Sequence, residues 1–186
     1  ICVDLESVAE SLRGKRVLIT GSAGSIGSEI VRQVASFAPS KMMLIDSAET
    51  PQHDIRRMMA HDFPSVPCAT VVTSITKADR MENIFKTFLP EYVFHAAAYK
   101  HVPMMEDNPC ESIQNNVLGT KILADLSVKY GVRRFVMVST DKAVNPTNVM
   151  GCSKRICEVY VQSLNKAERD GVVKGQTQFI TTRFGN

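Results

Sequence analysis

The stretch VLITGSAGSIGSEI at residues 17–30 constrains the fold of this 186-residue chain more than any other. It sets three glycines at G-x-x-G-x-x-G spacing, between a β-branched run and apolar residues at helical spacing. One glycine permits a tight turn, one lets the backbone approach a pyrophosphate, and one lets the helix pack close to the strand. The free N–H groups of the helix then face the phosphates, and two serine hydroxyls add donors. The residues expected to bind a dinucleotide here are Gly21, Ser22, Gly24, Ser25, Ile26 and Gly27.

Short apolar runs alternate with helical segments along the whole chain. This alternation predicts an α/β fold, a doubly wound parallel sheet with helices on both faces, which is the Rossmann architecture. Residues 1–13 are predicted to be a lead-in segment, and residues 14–186 a dinucleotide-binding domain. The strand candidates are 16–20, 41–46, 68–73, 92–98 with its exit loop, 133–140 and 178–184. The helix candidates are 25–38, 51–63, 77–89, about 108–130 and about 149–170.

An acidic residue, Asp46, ends the second strand candidate, 19 positions after Gly27. A carboxylate about 20 residues after the glycine loop accepts hydrogen bonds from the adenosine ribose hydroxyls. It would also repel the 2′-phosphate of NADP. The next residue is Ser47, whereas an NADP site favours an arginine at this place. The pattern therefore favours NAD over NADP. The alternative is a purely structural glycine turn beside a solvated aspartate.

Composition excludes several classes of protein. The net charge is +3 with both signs mixed along the chain and no basic tract, so a nucleic-acid partner is not expected. The chain has five cysteines, an odd number, which predicts reduced thiols and not a set of disulfides. Their spacing is not that of metal ligands, so no metal site is expected. No apolar run approaches the roughly 18 residues that span a bilayer. The first residues carry acid where a secretion signal carries base, so a cytoplasmic location is expected.

Five motifs together resemble one enzyme family. TGSAGSIGSE, FHAAAYKHVP, NNVLGT, VSTDKAVNPTNVMGCSKR and TRFGN are similar to the extended short-chain dehydrogenase/reductase superfamily, and within it to the CapD-like nucleotide-sugar 4,6-dehydratases. The resemblance runs from about residue 12 to residue 186. It implies an NAD-dependent UDP-N-acetylglucosamine 4,6-dehydratase of polysaccharide or capsule synthesis. It also implies a further sugar-binding part after Asn186 and, in many members, membrane spans before residue 1.

The chemistry implied by the resemblance has to do without the tyrosine of most relatives. A Tyr and a Lys four residues apart usually share one helix face, whereas this chain has Met150 and Lys154. Lys154 is expected to hold the nicotinamide ribose, and Met150 can only pack. The proton transfers are assigned to Thr140, Asp141 and Lys142 after the fifth strand. Asp141 would protonate the departing C6 hydroxyl and Lys142 would take the C5 proton, while the C4 proton goes to Lys142 or, through water, to Thr140.

Further residues are assigned on the same resemblance. Ser74 and Ile75 are expected beside the adenine, although relatives carry an acid there, and a plain strand end is the alternative. The small residues after the fourth strand would let its backbone approach the cofactor. His95 is interpreted as a satisfied core histidine rather than a site residue. The remaining expectations are cofactor contacts from Ala96, Ala97, Ala98 and Lys100, substrate contacts from Lys100, His101 and Asn186, and a backbone-holding role for Asn116.

Two other functions remain open at the level of the sequence. A sugar-nucleotide 4-epimerase or dehydrogenase belongs to the same class but depends on the absent tyrosine. A non-catalytic NAD-binding sensor fits the loss of the tyrosine, yet it would need Lys154 and not the Thr-Asp-Lys triplet. A UDP-sugar is the expected substrate. A homodimer through the helices at about 108–130 and 149–170 is the expected assembly.

Overall fold

The computed structural model describes residues 5–185 as one parallel sheet with helices on both faces. The helices are α1 Leu5–Leu12, α2 Ser25–Ser36, α3 Glu49–Asp62, α4 Ala78–Phe88, α5 Val102–Asp107, α6 Pro109–Ser112, α7 Gly119–Lys129 and α8 Val149–Arg169. The strands are β1 Arg16–Thr20, β2 Lys41–Asp46, β3 Cys68–Val72, β4 Tyr92–His95, β5 Arg134–Thr140 and β6 Gln178–Phe184. A π-helix, Ile113–Leu118, joins α6 to α7, and a 3₁₀ turn, Asp141–Ala143, follows β5.

The strand order is β3-β2-β1-β4-β5-β6, and every pairing is parallel. The order reverses between β1 and β4, which is the topological switch point where open α/β sheets bind ligands. This confirms the predicted doubly wound fold. The central strands β1 and β4 are almost continuously buried because helices cover both faces of the sheet, whereas β3 and β6 at the two edges are more exposed.

Two apolar clusters fill the two sides of the sheet. One contains Phe85 of α4, Phe135 of β5 and Leu123 of α7, all fully buried. The other packs α2 and α3 against β1 and β2 and also takes in Leu12, the last residue of α1. The lead-in segment thus shares the core of the domain. Removing a buried Phe side chain from such a cluster typically costs about 3–5 kcal/mol.

Three details differ from the sequence-based prediction. Helix α5 was not anticipated, because its six residues are too few for a periodic pattern. The helix expected at about 108–130 is present from Pro109 to Lys129, but a π-helical segment interrupts its regular winding. Helix α3 begins at Glu49, two residues before Pro51, which still lies in the first turn where a missing N–H costs nothing. None of the helices in residues 5–185 is long and apolar enough to cross a membrane.

Candidate functional site

The loop between β1 and α2 has the backbone geometry expected of the glycine motif. Gly21 has φ +70°, and a Cβ there would lie 2.5 Å from Ala97 N. A Cβ on Gly27 would lie 1.8 Å from Gly21 O, so only glycine lets α2 start this close to the strand. Gly24 is the exposed N-cap of α2, where the first N–H groups of the helix are open. Gly21 and Gly27 therefore serve the turn and the helix packing, and Gly24 is the glycine beside open space.

A first cavity lies above the carboxyl ends of β1, β2 and β4. It runs from the glycine loop to the loops after β2 and β3. The side chains predicted to hold the adenosine half of a dinucleotide come together here. Its lining is Gly21, Ala23, Gly24, Ile45, Asp46, Ser47, Ala48, Thr73, Ser74, Ile75, Ala96, Ala97, Ala98, Tyr99 and Asn115.

Asp46 is fixed at the mouth of this cavity by two backbone groups. Its Oδ2 accepts a hydrogen bond from Ala23 N at 3.0 Å, and its Oδ1 accepts one from Ala48 N at 2.9 Å. Each carboxylate oxygen keeps a further lone pair for a ligand hydroxyl. Asp46 thus ties the glycine loop to the end of β2, and its free acceptor positions face the cavity.

Ser74 and Ile75 form the wall after β3. The hydroxyl of Ser74 lies 2.8 Å from that of Thr76 and accepts from Thr76 N at 3.2 Å. Ile75 is buried, and a Cβ on Gly119 would lie 2.5 Å from its Cδ1. Gly119 therefore makes room for Ile75, which places the isoleucine at the cavity wall.

Ser22 is one of the loop residues that do not line this cavity. Its side chain is fully buried, and its hydroxyl donates to Gln52 Oε1 at 2.8 Å. In this structure the hydroxyl is therefore engaged by Gln52, and its expected donation to a phosphate stays a prediction. Ser25 is exposed at the first position of α2 and does not line a cavity, while Ile26 is half-buried and lines a second one.

This second cavity adjoins the first along Ala96, Ala98 and Tyr99. It lies over the carboxyl end of β5 and the start of α8. The residues predicted for chemistry and for substrate meet here, with the exception of Asp141 and of Asn186, which is outside the described residues. Its lining is Ile26, Ala96, Ala98, Tyr99, Lys100, His101, Val138, Ser139, Thr140, Lys142, Met150, Lys154, Phe184 and Gly185.

The Thr-Asp-Lys triplet forms a tight turn at the end of β5. Thr140 Oγ1 donates to Asp141 Oδ1 at 2.9 Å and accepts from Lys142 N at 3.3 Å. Lys142 Nζ lies 3.6 Å from Asp141 Oδ1. The hydrogen bond from Thr140, with the Lys142 cation, holds the pKa of Asp141 below its ordinary value. Asp141 is therefore ionised at neutral pH here, and its side chain is 56% exposed.

Lys154 lies deep in the second cavity with only 5% of its surface exposed. Burial lowers the pKa of its ammonium group, and Cys157 and Glu158 oppose that shift. Its Nζ makes no hydrogen bond or ion pair with the described part of the chain. Met150, one turn earlier on the same helix, is also buried and lines the same cavity. An ammonium without a protein partner that lines an open cavity is suited to bind a ligand with hydrogen-bond acceptors.

Close backbone contact places α8 beside the triplet. A Cβ on Gly151 would lie 2.3 Å from Lys142 O, so a larger residue there would separate the helix from the turn. Asn148 caps the helix by accepting from Gly151 N at 2.7 Å. Gly151 was not singled out from the sequence. The available signal was a glycine directly after Met150, near the start of α8.

His95 and Asn116 behave as predicted. The ring nitrogens of His95 lie 2.7 Å from Thr20 Oγ1 and 2.8 Å from Thr120 Oγ1, and burial, with the Lys154 charge, lowers its pKa to about 3. Asn116 Oδ1 accepts from Tyr99 N at 2.8 Å, and Nδ2 donates to Tyr99 O at 3.0 Å. Asn116 thereby holds the backbone of a residue that lines both cavities.

Two functional positions were missed by the sequence analysis. Asn115, next to Asn116 in the π-helix, lines the first cavity. Glu158 is fully buried and accepts hydrogen bonds from Ser139 Oγ at 2.8 Å, Arg155 Nη1 at 3.1 Å and Arg183 Nε at 2.9 Å. Burial raises the pKa of this carboxyl, but these hydrogen bonds outweigh it and the net pKa is lowered. The sequence feature that could have identified Glu158 was its position four residues after Lys154.

No group of three or more His, Cys, Asp or Glu residues in the described part of the chain could hold a metal ion. The charged groups of the two cavities are instead Asp46 at one end and Lys100, Lys142 and Lys154 at the other. That arrangement suits an anionic organic ligand with ribose hydroxyls at one end.

Comparison with known proteins gives one family. The family model described as polysaccharide biosynthesis protein matches residues 17–186. The chain is 42% identical over 185 residues to the capsular polysaccharide biosynthesis protein CapD of Staphylococcus aureus, covering 99% of this chain and 30% of CapD. It is 32% identical to a UDP-N-acetylglucosamine 4,6-dehydratase (inverting) of Campylobacter jejuni, covering 93% of this chain and 49% of that enzyme. It is also 32% identical to a UDP-glucose 4-epimerase of Rickettsia typhi, covering 92% and 49%.

Solved structures agree with this assignment. Pen from Bacillus thuringiensis matches with a TM-score of 0.85 and 28% identity, over 94% of this chain and 53% of that one. A UDP-glucose 4-epimerase from Thermotoga maritima, solved with UDP-glucose, matches with a TM-score of 0.72 and 26% identity, over 87% and 54%. A UDP-glucose 4-epimerase from Brucella ovis in complex with NAD shares the fold, with a TM-score of 0.75 and 22% identity, over 92% and 52%. The chain spans about half the length of these proteins or less.

Proposed function

We propose that this chain, which belongs to the polysaccharide biosynthesis protein family, carries the cofactor half of an NAD-dependent UDP-N-acetylglucosamine 4,6-dehydratase. The observation that carries the proposal is that Thr140, Lys142, Met150 and Lys154 line a single cavity. That cavity adjoins one with the acceptors of a dinucleotide site. An enzyme of this kind would supply a 4-keto-6-deoxy sugar nucleotide for polysaccharide synthesis.

The described residues fit NAD along both cavities. The glycine loop and the N-terminus of α2 would bind the pyrophosphate, and Asp46 would accept from the adenosine ribose hydroxyls. Ser74 and Ile75 would meet the adenine, and Asn115 would lie beside the chain of atoms between the two halves. Lys154 would bind the nicotinamide ribose, which gives its buried ammonium the acceptors it lacks in residues 5–185. When bound, NAD supplies a hydride acceptor for sugar C4 and a hydride donor for C6, with no net consumption.

The chain's own residues then manage the protons. Thr140 would hydrogen-bond the C4 hydroxyl at the cavity wall. The proton of that hydroxyl would pass either to Lys142 or, through water, to Thr140. Lys142, as the neutral amine and after releasing any proton received from the C4 hydroxyl, would take the C5 proton, made acidic by the ketone, and would return a proton to C5 as C6 is reduced. Asp141 would protonate the departing C6 hydroxyl, so its pKa has to rise from the lowered value it has here. Covering its exposed carboxyl with substrate and sugar-binding chain would raise that pKa by desolvation.

The decisive experiment uses a form of the protein that also carries the additional length present in its relatives. It would be incubated with UDP-N-acetylglucosamine, and the sugar nucleotide weighed by mass spectrometry. Loss of one water is expected. Asp141→Asn and Lys142→Ala should each lower the rate at least about 100-fold, the usual contribution of a positioned acid or base. The exposed Lys166→Ala on α8 is the matched control and should keep the rate.

Two alternatives give different results in the same assay. A 4-epimerase, favoured by the 32% identity to the Rickettsia enzyme, would leave the mass unchanged and convert the sugar to its C4 epimer. Buried Met150 disfavours this reading, because it replaces the tyrosine on which such enzymes depend. A non-catalytic sensor would bind NAD and change neither mass nor stereochemistry.

We further propose that the protein forms a homodimer through the outer faces of the π-helix–α7 segment and α8. Exposed aliphatic side chains support this, since Ile113 and Leu118 lie on one helix and Ile156 and Val159 on the other. Exposed aliphatic side chains on the two helical segments would be covered in such an interface. A cytoplasmic location follows from the proposed use of NAD and UDP-sugar.

A further inference from the structure

A buried side-chain amide connects α3 to the glycine loop. Gln52 is 1% exposed, although it lies one turn into a helix whose other polar residues face solvent. Its Oε1 accepts from Ser22 Oγ at 2.8 Å, and its Nε2 donates to Leu44 O, also at 2.8 Å. The amide therefore bridges the middle of β2 and the second residue of the glycine loop, with both ends satisfied.

The glycine loop is attached to β2 residue by residue. Gly21 N donates to Ile45 O at 2.8 Å, Ser22 N to the same oxygen at 3.3 Å, and Ala23 N to Asp46 Oδ2 at 3.0 Å. The Ser22 backbone bond is the longest of the three, and Ser22 is also the residue whose side chain Gln52 holds. Gln52 thus strengthens the attachment where the backbone bond is weakest.

A purely structural role would not need this pair of polar groups. A leucine at position 52 with an alanine at position 22 would fill similar space without the cost of burying an amide and a hydroxyl. Buried hydrogen bonds contribute little net stability when both partners are satisfied, but they fix direction closely. What the pair adds is a defined position of Ser22, and hence of the N–H groups of Ala23 and Gly24, relative to Asp46.

We propose that Gln52 is a positioning residue for cofactor binding, which sets the phosphate-binding loop at a fixed distance from the ribose-binding Asp46. It makes no contact with the cofactor itself and acts through Ser22. The inference rests on the proposed binding of NAD in the first cavity. It predicts that Gln52 matters for ligands that span both sites and not for a ligand that reaches Asp46 alone.

The test compares NAD with adenosine on the same variants. Gln52→Met leaves the Ser22 hydroxyl buried without its partner, so NAD affinity should fall about tenfold, as for the loss of one buried hydrogen bond. Adenosine, which lacks the pyrophosphate, should bind within about twofold of the unchanged protein. Titration calorimetry measures the first ligand and saturation-transfer NMR the second. The same replacement at exposed Gln33, in Gln33→Met, should change neither.

Two further variants separate positioning from simple destabilisation. Ile55→Val removes one buried methylene from the same helix and lowers Tm without touching the loop, so it should leave the ratio of NAD to adenosine affinity unchanged. Ser22→Ala combined with Gln52→Met should lose no more NAD affinity than Gln52→Met alone, because both act through one contact. Equal losses for NAD and adenosine, or additive losses in the double variant, would overturn the proposal.

A measurement without ligand keeps this inference distinct from the cofactor proposal. Amide hydrogen exchange at Ser22 and Ala23 should accelerate at least about fivefold in Gln52→Met and stay unchanged in Gln33→Met. If the unchanged protein binds no NAD, the proposed function fails, while the exchange result still decides whether Gln52 holds the loop. Unchanged exchange at both amides would refute the positioning role.

Discussion

Replacing Lys154 with methionine should stabilise the protein while weakening cofactor binding. Lys154 has only 5% of its surface exposed, and its Nζ makes no hydrogen bond within residues 5–185. Burial lowers the pKa of the ammonium, although Cys157 and Glu158 oppose that shift. Methionine has nearly the same volume and no charge to desolvate. Removing a partly compensated buried charge of this kind is worth at most about 1–3 kcal/mol. For a chain of this size that is an increase in Tm of roughly 2–10 °C.

Lys154 should also make the stability of the unchanged protein depend on pH. Because the folded-state pKa of Lys154 lies below the ordinary 10.5, the unfolded chain binds the proton more tightly than the folded one. Stability therefore rises with pH between the folded pKa and 10.5, with a slope of at most about 1.4 kcal/mol per pH unit. Urea unfolding at a series of pH values from 7 towards 10.5 should show this gain in the unchanged protein. Lys154→Met should lack that part of it.

Cofactor binding should respond in the opposite direction. Saturating NAD at about 100 times its dissociation constant would stabilise the unchanged protein by about 2.7 kcal/mol, and Lys154→Met should lose most of that increment. Lys166→Met, on the exposed face of the same helix, should alter neither stability by more than about 0.5 kcal/mol nor the NAD increment. A Lys154→Met protein that is less stable at pH 7, or one that keeps the full NAD increment, would refute the reasoning.

Three further results are expected. Gly27→Ala should abolish NAD binding and lower the free energy of unfolding by more than about 3 kcal/mol, since its Cβ would lie 1.8 Å from Gly21 O. Gly24→Ala is the control, because the nearest atom to its Cβ is 3.4 Å away, and it should fold normally in thermal melts. Glu158→Gln should lower the free energy of unfolding in urea at pH 7 by about 2 kcal/mol, and the difference between variant and unchanged protein should shrink as acid protonates Glu158. An unchanged urea midpoint would contradict a stabilising role for the hydrogen bonds of Glu158. Ile156→Glu with Val159→Glu should yield monomers in sedimentation velocity, and a dimer that persists would exclude this interface.

Local patterns in the sequence were sufficient for the fold and for the glycine loop. Strand and helix alternation, the spacing of Gly21, Gly24 and Gly27, and the acid at Asp46 are all features of short segments. Each is dictated by steric limits or by periodic burial that operate within a few residues. The same holds for His95, whose place at the end of an apolar strand predicted a satisfied core histidine.

The resemblance to a known family assigned roles to residues whose roles could not be decided from local sequence patterns. Asn116 was assigned its backbone-holding role from the motif NNVLGT, and its bonds to Tyr99 agree with it. Lys142, Met150 and Lys154 were grouped in the same way, and they line one cavity. Asp141 was placed with them, but in this structure its side chain is more than half exposed and its pKa is lowered. The proposed acid role would therefore require that a bound ligand cover this carboxyl.

By itself, the sequence determined the order of the strands and the long helices, the glycine loop and the absence of a tyrosine four residues before Lys154. Only the tertiary structure decided which polar side chains meet. Ser22 and Gln52 are 30 residues apart, Glu158 and Arg183 are 25 apart, and Asn116 and Ser153 are 37 apart. Such contacts depend on how helices pack on the sheet, which no local pattern encodes. The close approach of Gly151 to Lys142 belongs to the same group, because a glycine's spatial neighbour appears only once the chain has folded.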